Sequence, residues 1–248
     1  MYLALGHVFR TKRLYMAMKH TDELVRSNLQ QDEGTMDRLK KSAPGIANQC
    51  EYILHYAKTP AWEHTGAVYY ADGLPWWKRL LEDLETAERF IFLEFFILGE
   101  GTMWDTVLEI LERKVKAGVE VRLIYDDVGS VFLLPKEYNE KIEKKGIKCV
   151  AFNRLVPFLA LVLNNRDHRK IVVIDGRVGY TGGINMSDEY INYKRSHGDH
   201  WKDAGIRIEG EAVWNFTVMF LQMWNMSRHT EEYYGRYRHH FTVRPAGE

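Results

Sequence analysis

The eight residues from His168 to Asp175 constrain the fold more than any other part of this chain. They read His-Arg-Lys-Ile-Val-Val-Ile-Asp, so a His and a Lys two positions apart precede a β-branched run. Residues two apart on an extended segment point to the same side, and β-branched runs favour strands. Asp175-Gly176 is typical of a hairpin turn, and an extended pattern resumes at residues 177–180. The sequence therefore predicts a buried hairpin with His168 and Lys170 on one face.

A histidine beside a fixed lysine charge suits attack on a phosphodiester, with the imidazole as nucleophile or acid–base group. The motif therefore provides a candidate catalytic set of His168, Lys170 and Asp175. Strand alternation places Asp175 on the other face or in the turn, where we expect it to close the turn and fix the strand register. The plainer alternative is a buried hairpin with an incidental histidine.

A glycine pair follows the hairpin in the segment Thr-Gly-Gly-Ile-Asn, which ends at Asn185. Gly182 and Gly183 would let the backbone approach a ligand closely, because they have no side chain. The amide of Asn185 could donate to a phosphate oxygen. Together with Lys170, these residues form the candidate phosphate-binding set.

The segments 164–170 and 182–191 resemble the first His-x-Lys-x-x-x-x-Asp (HKD) motif of bacterial cardiolipin synthases, which belong to the phospholipase D superfamily. The resemblance continues through residues 93–97, 125–130 and 201–210, and it covers roughly residues 50 to 230. It implies one HKD half of a phospholipase D-like α/β fold, with a mixed, largely parallel sheet and helices on both faces. Asp203 matches a carboxylate that hydrogen-bonds the catalytic imidazole in the family.

The order of the elements agrees with this fold class. Helical spacing runs from residue 21 to about 57 with a break at Pro44-Gly45, and strands then alternate with helices from residue 68 to 152. The hairpin, a strand at residues 204–208 and a helix at residues 211–225 follow. Such alternation predicts a largely parallel sheet covered by helices on both faces.

Two further carboxylates compete for a place near the histidine. Glu94 lies in an apolar segment, where its burial would be costly without a partner, so it is a candidate for lining the site. Asp126 ends a predicted strand at the edge where sites in parallel sheets tend to lie. Each could instead cap a helix or bind an arginine.

Departures from the family pattern concern the length of the chain. Related enzymes carry two HKD motifs and form their site between two pseudo-symmetric halves, whereas this sequence contains one such motif. Members also usually begin with two transmembrane helices, and no run of about 18 apolar residues occurs here. We therefore expect a first half, either truncated or a fragmentary gene product. The second half of the site would come from the missing C-terminal half or from a second copy.

Composition limits the partners. Lys plus Arg and Asp plus Glu both number 34, so the net charge is zero and we expect no nucleic acid partner. Cys50 and Cys149 lie far apart without zinc-type spacing, which predicts a reducing compartment. We expect no metal and no cofactor, because lysine and imidazole would supply the positive charge.

The sequence divides into residues 1–50, a basic juxtamembrane and helical segment, and residues 51–248, the HKD domain. Residues 1–20 contain four basic residues and no acid, which suits either an ordinary solvated helix or a segment beside a membrane. The resemblance favours the second, with the catalytic domain on the cytoplasmic side of a bacterial cell membrane. The apolar run at residues 155–163 is either a buried connector or an interfacial segment that leads a phospholipid to His168.

The resemblance implies phosphatidyl transfer between two phosphatidylglycerol molecules through a phosphohistidine at His168, giving cardiolipin and glycerol. Three alternatives stay open. The chain could be a phospholipase D-like hydrolase, a single-motif nuclease or lipase that acts as a homodimer, or an inactive fragment that binds a membrane or a partner protein.

Overall fold

The computed structural model describes residues 21–154, 166–193, 200–230 and 232–241. The basic residues 1–20 and the apolar run 155–163, for which we predicted membrane contact, lie outside the described residues. Within the described ranges, no helix has the length and apolar character needed to cross a bilayer.

A seven-stranded sheet forms the centre of the protein. Its strands, in chain order, are β1 (Thr65–Tyr70), β2 (Phe90–Phe95), β3 (Glu120–Asp126), β4 (Lys148–Phe152), β5 (Ile171–Ile174), β6 (Val178–Gly182) and β7 (Gly205–Gly210). Across the sheet the order is β1-β7-β6-β5-β2-β3-β4.

The sheet is mixed, as predicted, but its parallel part is smaller than expected. β2 pairs in parallel with β3, and β3 with β4, where helices connect successive strands. The other four pairs (β1–β7, β7–β6, β6–β5 and β5–β2) are antiparallel. Strand–helix alternation holds only as far as β4, and the HKD hairpin that follows is antiparallel because a short turn can join only antiparallel neighbours.

Helices cover both faces of this sheet. They are α1 (Glu33–Ser42), α2 (Pro44–Ala57), α3 (Gly73–Glu85), α4 (Thr102–Lys116), α5 (Asp127–Ser130), α6 (Tyr138–Glu143) and α7 (Val213–Arg228). Residues 21–28 are also helical, and single 3₁₀ turns occupy Asp188–Ile191 and Tyr234–Tyr237. The predicted break at Pro44 is confirmed, since this proline occupies the first turn of α2, where its missing N–H leaves no unpaired donor.

Two apolar cores lie on opposite faces of the sheet. Side chains of α3, α4 and α6, such as Trp76, Trp104 and Tyr138, pack on one face against alternate residues of the central strands. The other core lies beneath α7 and includes Trp214 and Phe220. The expectation of helices on both faces is therefore confirmed.

Asp175 ties the β5–β6 turn to the start of β2. Its backbone is left-handed, with φ of +54°. One carboxylate oxygen accepts the N–H groups of Arg89 and Phe90, and the other accepts that of Glu88, each at 2.8 Å. This is the turn-closing and register-fixing role expected of Asp175.

Replacing Asp175 with Ala should lower the free energy of unfolding by at least about 3 kcal/mol, because three backbone donors lose their acceptor. Urea denaturation monitored by circular dichroism measures the change. Asp37→Ala, at an exposed position on α1, is the control and should stay within about 0.5 kcal/mol of the parent. Equal effects of the two substitutions would contradict this role of Asp175.

Candidate active site

The predicted histidine–lysine pair is brought together on the segment that leads into β5. The His168 side chain is exposed, whereas Lys170 is only 5% exposed. Lys170 Nζ donates to the carbonyl oxygen of His168 at 2.8 Å and lies 5.4 Å from the centre of the Phe96 ring. The His168 ring contacts the same phenylalanine at 4.7 Å between ring centres. An accessible imidazole therefore lies beside a largely buried ammonium group.

The surroundings of Lys170 tune its charge. Burial lowers the pKa of the Lys170 ammonium below its ordinary value, although the carboxylates of Asp167 and Asp203 act in the opposite direction. Partial removal from water also strengthens the attraction between this ammonium and an approaching anion. The position suits the phosphate-binding role that the sequence predicts for Lys170.

Asp203 lies near the site, but in the described structure no hydrogen bond joins it to His168. Its Oδ1 accepts the N–H of Ala204 at 2.8 Å, and its charge acts on Lys170. The orienting role that we expected for Asp203 therefore stays a prediction.

The glycine pair is explained by packing within the protein. A Cβ on Gly183 would lie 2.0 Å from Asp203 Oδ1, and one on Gly182 would lie 2.4 Å from the carbonyl oxygen of Ala204. Gly182 also has φ of +148°, which side chains disfavour. Both glycines thus let the segment before β7 approach the end of β6. The close approach of a ligand to these glycines stays a prediction.

Asn185 is buried and joins two loops beside the site. Its Oδ1 accepts the N–H of Ile97 at 3.0 Å, and its Nδ2 donates to the hydroxyl of Tyr190 at 2.7 Å. One N–H of Nδ2 serves this bond, so a phosphate oxygen would have to bind the second N–H. The phosphate contact predicted for Asn185 stays a prediction, with a narrower geometry than expected.

Glu94 does not line the face that carries His168, contrary to our expectation. It lies on β2 opposite Ile171, so it shares the face of Arg169, whose Nε is 2.6 Å from Glu94 Oε1. Arg169 also donates to the carbonyl oxygen of Met219 in α7. Alternation along the chain turns His168 to the opposite face.

Asp175 also lies outside the site, although it belongs to the motif. All of β5 lies between it and Lys170, and the five residue steps correspond to about 17 Å at the usual rise per residue. Its carboxylate is engaged by backbone N–H groups at the start of β2. Its contribution is to the fold of the hairpin, and the candidate catalytic set contracts to His168 and Lys170.

Asp126, whose role the sequence left open, is a structural residue that positions the site. Its Oδ1 accepts the N–H groups of Val128 and Gly129 and so caps α5. Its Oδ2 accepts the N–H of Asp167 at 3.0 Å. The end of β3 is therefore bonded directly to the residue that precedes His168.

Phe96 is the site residue that sequence reasoning missed. A Cβ on Gly129 would lie 2.2 Å from the Phe96 carbonyl oxygen, so this glycine allows α5 to pack directly on the Phe96 backbone. Ser130 Oγ accepts the N–H of Leu98 at 3.0 Å and holds the same segment. The Asp-Val-Gly-Ser sequence that ends at Ser130 was a visible signal, but nothing local identified the segment that it contacts.

Gly129→Ala should lower the free energy of unfolding by about 1–3 kcal/mol, because the added methyl group collides with backbone. It should also change the chemical shifts of the His168 imidazole, since Phe96 must move. Gly45→Ala is the matched control, because nothing lies within 4 Å of a Cβ at that helical position. An unshifted His168 signal in a destabilised Gly129→Ala protein would contradict the inference that packing at Gly129 positions His168 through Phe96.

Comparison with known proteins identifies the class. The family described as cardiolipin synthase, PLD-like domain, matches residues 80–224, which is more than half of the 248 residues. A cardiolipin synthase of Alkalihalophilus pseudofirmus is 32% identical over 226 residues, covering 90% of this chain and 44% of that protein. An uncharacterized protein of Streptococcus mutans is 39% identical over 222 residues, covering 90% and 48%.

Solved structures show weaker similarity. A phospholipase D family member from Salmonella typhimurium, Nuc, superposes with a TM-score of 0.48 at 16% identity, covering 66% of this chain and 95% of that chain. A phosphatidylserine synthase of Haemophilus influenzae gives a TM-score of 0.49 at 11% identity, covering 69% of this chain and 41% of that chain.

Because the family match covers more than half of its residues, the chain belongs to the phospholipase D-like domain family of cardiolipin synthases. The chain spans about half, or less, of the length of the curated relatives it matches. The activity of a whole enzyme is thus a matter for proposal.

Proposed function

We propose that this chain supplies one HKD half of a phosphatidyltransferase that makes cardiolipin from two phosphatidylglycerol molecules. The observation that supports this most directly is the exposed His168 imidazole beside the buried Lys170 ammonium, in a chain of this family. A nucleophile must be accessible to a lipid headgroup, whereas a charge that stabilises a phosphate is most effective when it is partly removed from water.

The proposed reaction has two steps. A ring nitrogen of His168 attacks the phosphorus of one phosphatidylglycerol, the bond from phosphorus to the glycerol headgroup breaks, and glycerol leaves after it takes up a proton. The free hydroxyl of a second phosphatidylglycerol then attacks the phosphohistidine and loses its proton to a base, and the phosphorus–nitrogen bond breaks. Lys170 and the second amide N–H of Asn185 would offset charge on the non-bridging oxygens.

A second histidine is needed to donate and accept these protons. We propose that it comes from a second HKD half, supplied either by a longer polypeptide or by a second copy of this chain. We also propose that the site works at the cytoplasmic surface of the cell membrane, where both lipid substrates reside. A hydrolase of the phospholipase D type would share the first step and use water in the second.

Trapping the intermediate tests the assignment of His168. Phosphatidylglycerol labelled at its phosphate should transfer label to the protein, purified together with its second half-site, and an alkaline quench should preserve the bond. His168→Ala should abolish the labelling, and Lys170→Ala should slow it by about a hundredfold or more, the usual cost of removing one transition-state charge partner. His55→Ala, an exposed histidine on α2, is the control and should label normally.

Label that persists in the His168→Ala protein would overturn the nucleophile assignment. The product then separates the two enzyme classes: cardiolipin supports transfer, whereas phosphatidic acid alone would show that the protein is a hydrolase.

Self-association tests where the second half-site originates. If a second copy supplies it, sedimentation at micromolar concentration should give twice the mass of the 29.1 kDa chain. Mixing His168→Ala chains with unmodified chains should then reduce the activity of the mixed dimers. A monomer under these conditions would overturn the second copy of this chain as the source of that half-site.

A further inference from the structure

A buried ionic cluster lies beneath the segment that carries His168, on the α7 side of the sheet. It consists of Glu94, Asp167 and Arg169, whose side chains are 0%, 2% and 28% exposed. Arg169 Nε lies 2.6 Å from Glu94 Oε1 and 3.3 Å from Asp167 Oδ1. The activity proposed for His168 does not itself require these three groups.

Several polar atoms of the cluster lack a hydrogen-bond partner among the described residues. Oε2 of Glu94, Oδ2 of Asp167 and one guanidinium nitrogen of Arg169 are buried without such a partner, and Oε1 of Glu94 has only its ion-pair contact with Arg169 Nε. A buried carboxylate without a donor is costly, so an arrangement that supplies one is favoured.

The charges of the cluster point to one missing proton. Two carboxyl groups pair with a single guanidinium. The Lys170 ammonium also attracts Asp167 but forms no ion pair with it in the described structure, so one negative charge within the cluster is unbalanced if both carboxyl groups are ionised. Burial raises the pKa of the Glu94 carboxyl well above its ordinary value; Arg169 opposes this rise and Asp167 reinforces it. One proton held between the two carboxyl groups would make the cluster neutral.

We propose that Glu94 and Asp167 share one proton and that, with Arg169, they form a positioning cluster for His168. The Glu94 O–H would donate to Asp167 Oδ2, and the other Glu94 oxygen would face the guanidinium. The pair thereby gains a donor for the unpartnered oxygen of Asp167. The positioning role rests on the proposed function of His168, whereas the shared proton does not.

The cluster can act on His168 because it holds both chain neighbours of that residue. Asp167 Oδ1 accepts the backbone N–H of Arg169 at 3.3 Å, which closes a turn with His168 at its apex. The backbone N–H of Asp167 is bonded to Asp126. Loss of the shared proton would leave two carboxylates repelling each other beneath this turn, and the turn would relax.

The helix that covers the cluster, α7, adds no ionisable side chain to the charge balance of the cluster. α7 contributes the carbonyl oxygen of Met219, and its sequence contains no ionisable residue before Arg228 in its last turn. In the 166–170 segment, Asp167 and Arg169 belong to the cluster, Arg166 forms an ion pair with Asp126 at 3.2 Å, and the charge of Lys170 acts on Asp167. Asp126, at the end of β3, also accepts the backbone N–H groups of Val128, Gly129 and Asp167.

The direction of the pH dependence follows from the raised pKa of Glu94. The unfolded chain releases the Glu94 proton near the ordinary pKa of glutamic acid, about 4.3, whereas the folded protein retains it to higher pH. Stability should therefore fall as the pH rises from there to the pKa of the folded state, and then level off. Glu94→Gln has no proton to lose and should remove this fall.

Infrared spectroscopy and histidine NMR test the proposal on the intact protein. At neutral pH the parent should show a protonated-carboxyl band that is lost in Glu94→Gln. The His168 imidazole, assigned with His168→Ala, should show a second inflection above the ordinary glutamic acid range that Glu94→Gln also removes. A merely structural glutamate would not produce this second inflection.

Glu120→Gln is the matched control on the neighbouring strand. Although burial acts in the opposite direction, hydrogen bonds from Lys148 and Arg122 lower the pKa of Glu120 to about 2. Its replacement should leave both the neutral-pH band and the second His168 inflection in place. Loss of either signal in this control as well would overturn the assignment to Glu94.

The outcomes separate the two proposals. Absence of a Glu94-dependent protonated-carboxyl band at neutral pH overturns the shared proton, and a band without the second His168 inflection overturns the positioning role. If both signals are present but His168 takes no label from phosphatidylglycerol, the proposed function fails while the proton pair stands.

With label transfer intact, Glu94→Ala should slow labelling by up to about a hundredfold, the scale expected for a misplaced nucleophile, and Glu94→Gln should largely restore it.

Discussion

Buried carboxylates that accept backbone N–H groups hold both ends of the strand that follows His168. Asp175 binds three N–H groups at the start of β2, and Asp126 binds the N–H of Asp167 from the end of β3. Bonds from backbone donors to an ionised carboxylate are stronger than neutral ones, and unpaired donors in these buried places would be costly. The hairpin is thus fixed against the parallel part of the sheet at two points, and the position of His168 depends on both.

Strand alternation then divides the motif between two environments. His168 and Lys170 face one way, against Phe96 just after the end of β2, whereas Arg169 turns beneath α7 and meets Glu94. One short segment therefore presents the groups suited to phosphate chemistry on one side and is held by buried charges on the other. The geometry of this segment depends on packing on both faces of the sheet. A substitution beneath α7 can therefore change the position of His168 although the substituted residue does not contact the substrate.

Much of the fold could be predicted because its signals are local. The strand–helix alternation between β1 and β4, the proline break before α2 and the HKD hairpin all appear close to their predicted bounds. The predicted hairpin makes β5 and β6 antiparallel, but the directions of the β5–β2, β6–β7 and β7–β1 pairs were less accessible, since no tight turn joins these strands. The roles expected for Glu94 and for the glycines also needed the structure, because the atoms that decide them come from distant segments.

The sequence by itself determined which residues form the hairpin, that its turn falls at Asp175, and that His168 and Lys170 point the same way. These features follow from steric preferences and from the two-residue period of an extended chain, which act between near neighbours. Only the tertiary structure decided that Asp175 binds the start of β2, that Phe96 lies against the histidine, and that Glu94 meets Arg169. The partner of a buried charge or ring is whichever distant segment the sheet brings beside it, and the period of a single strand carries no information about that segment.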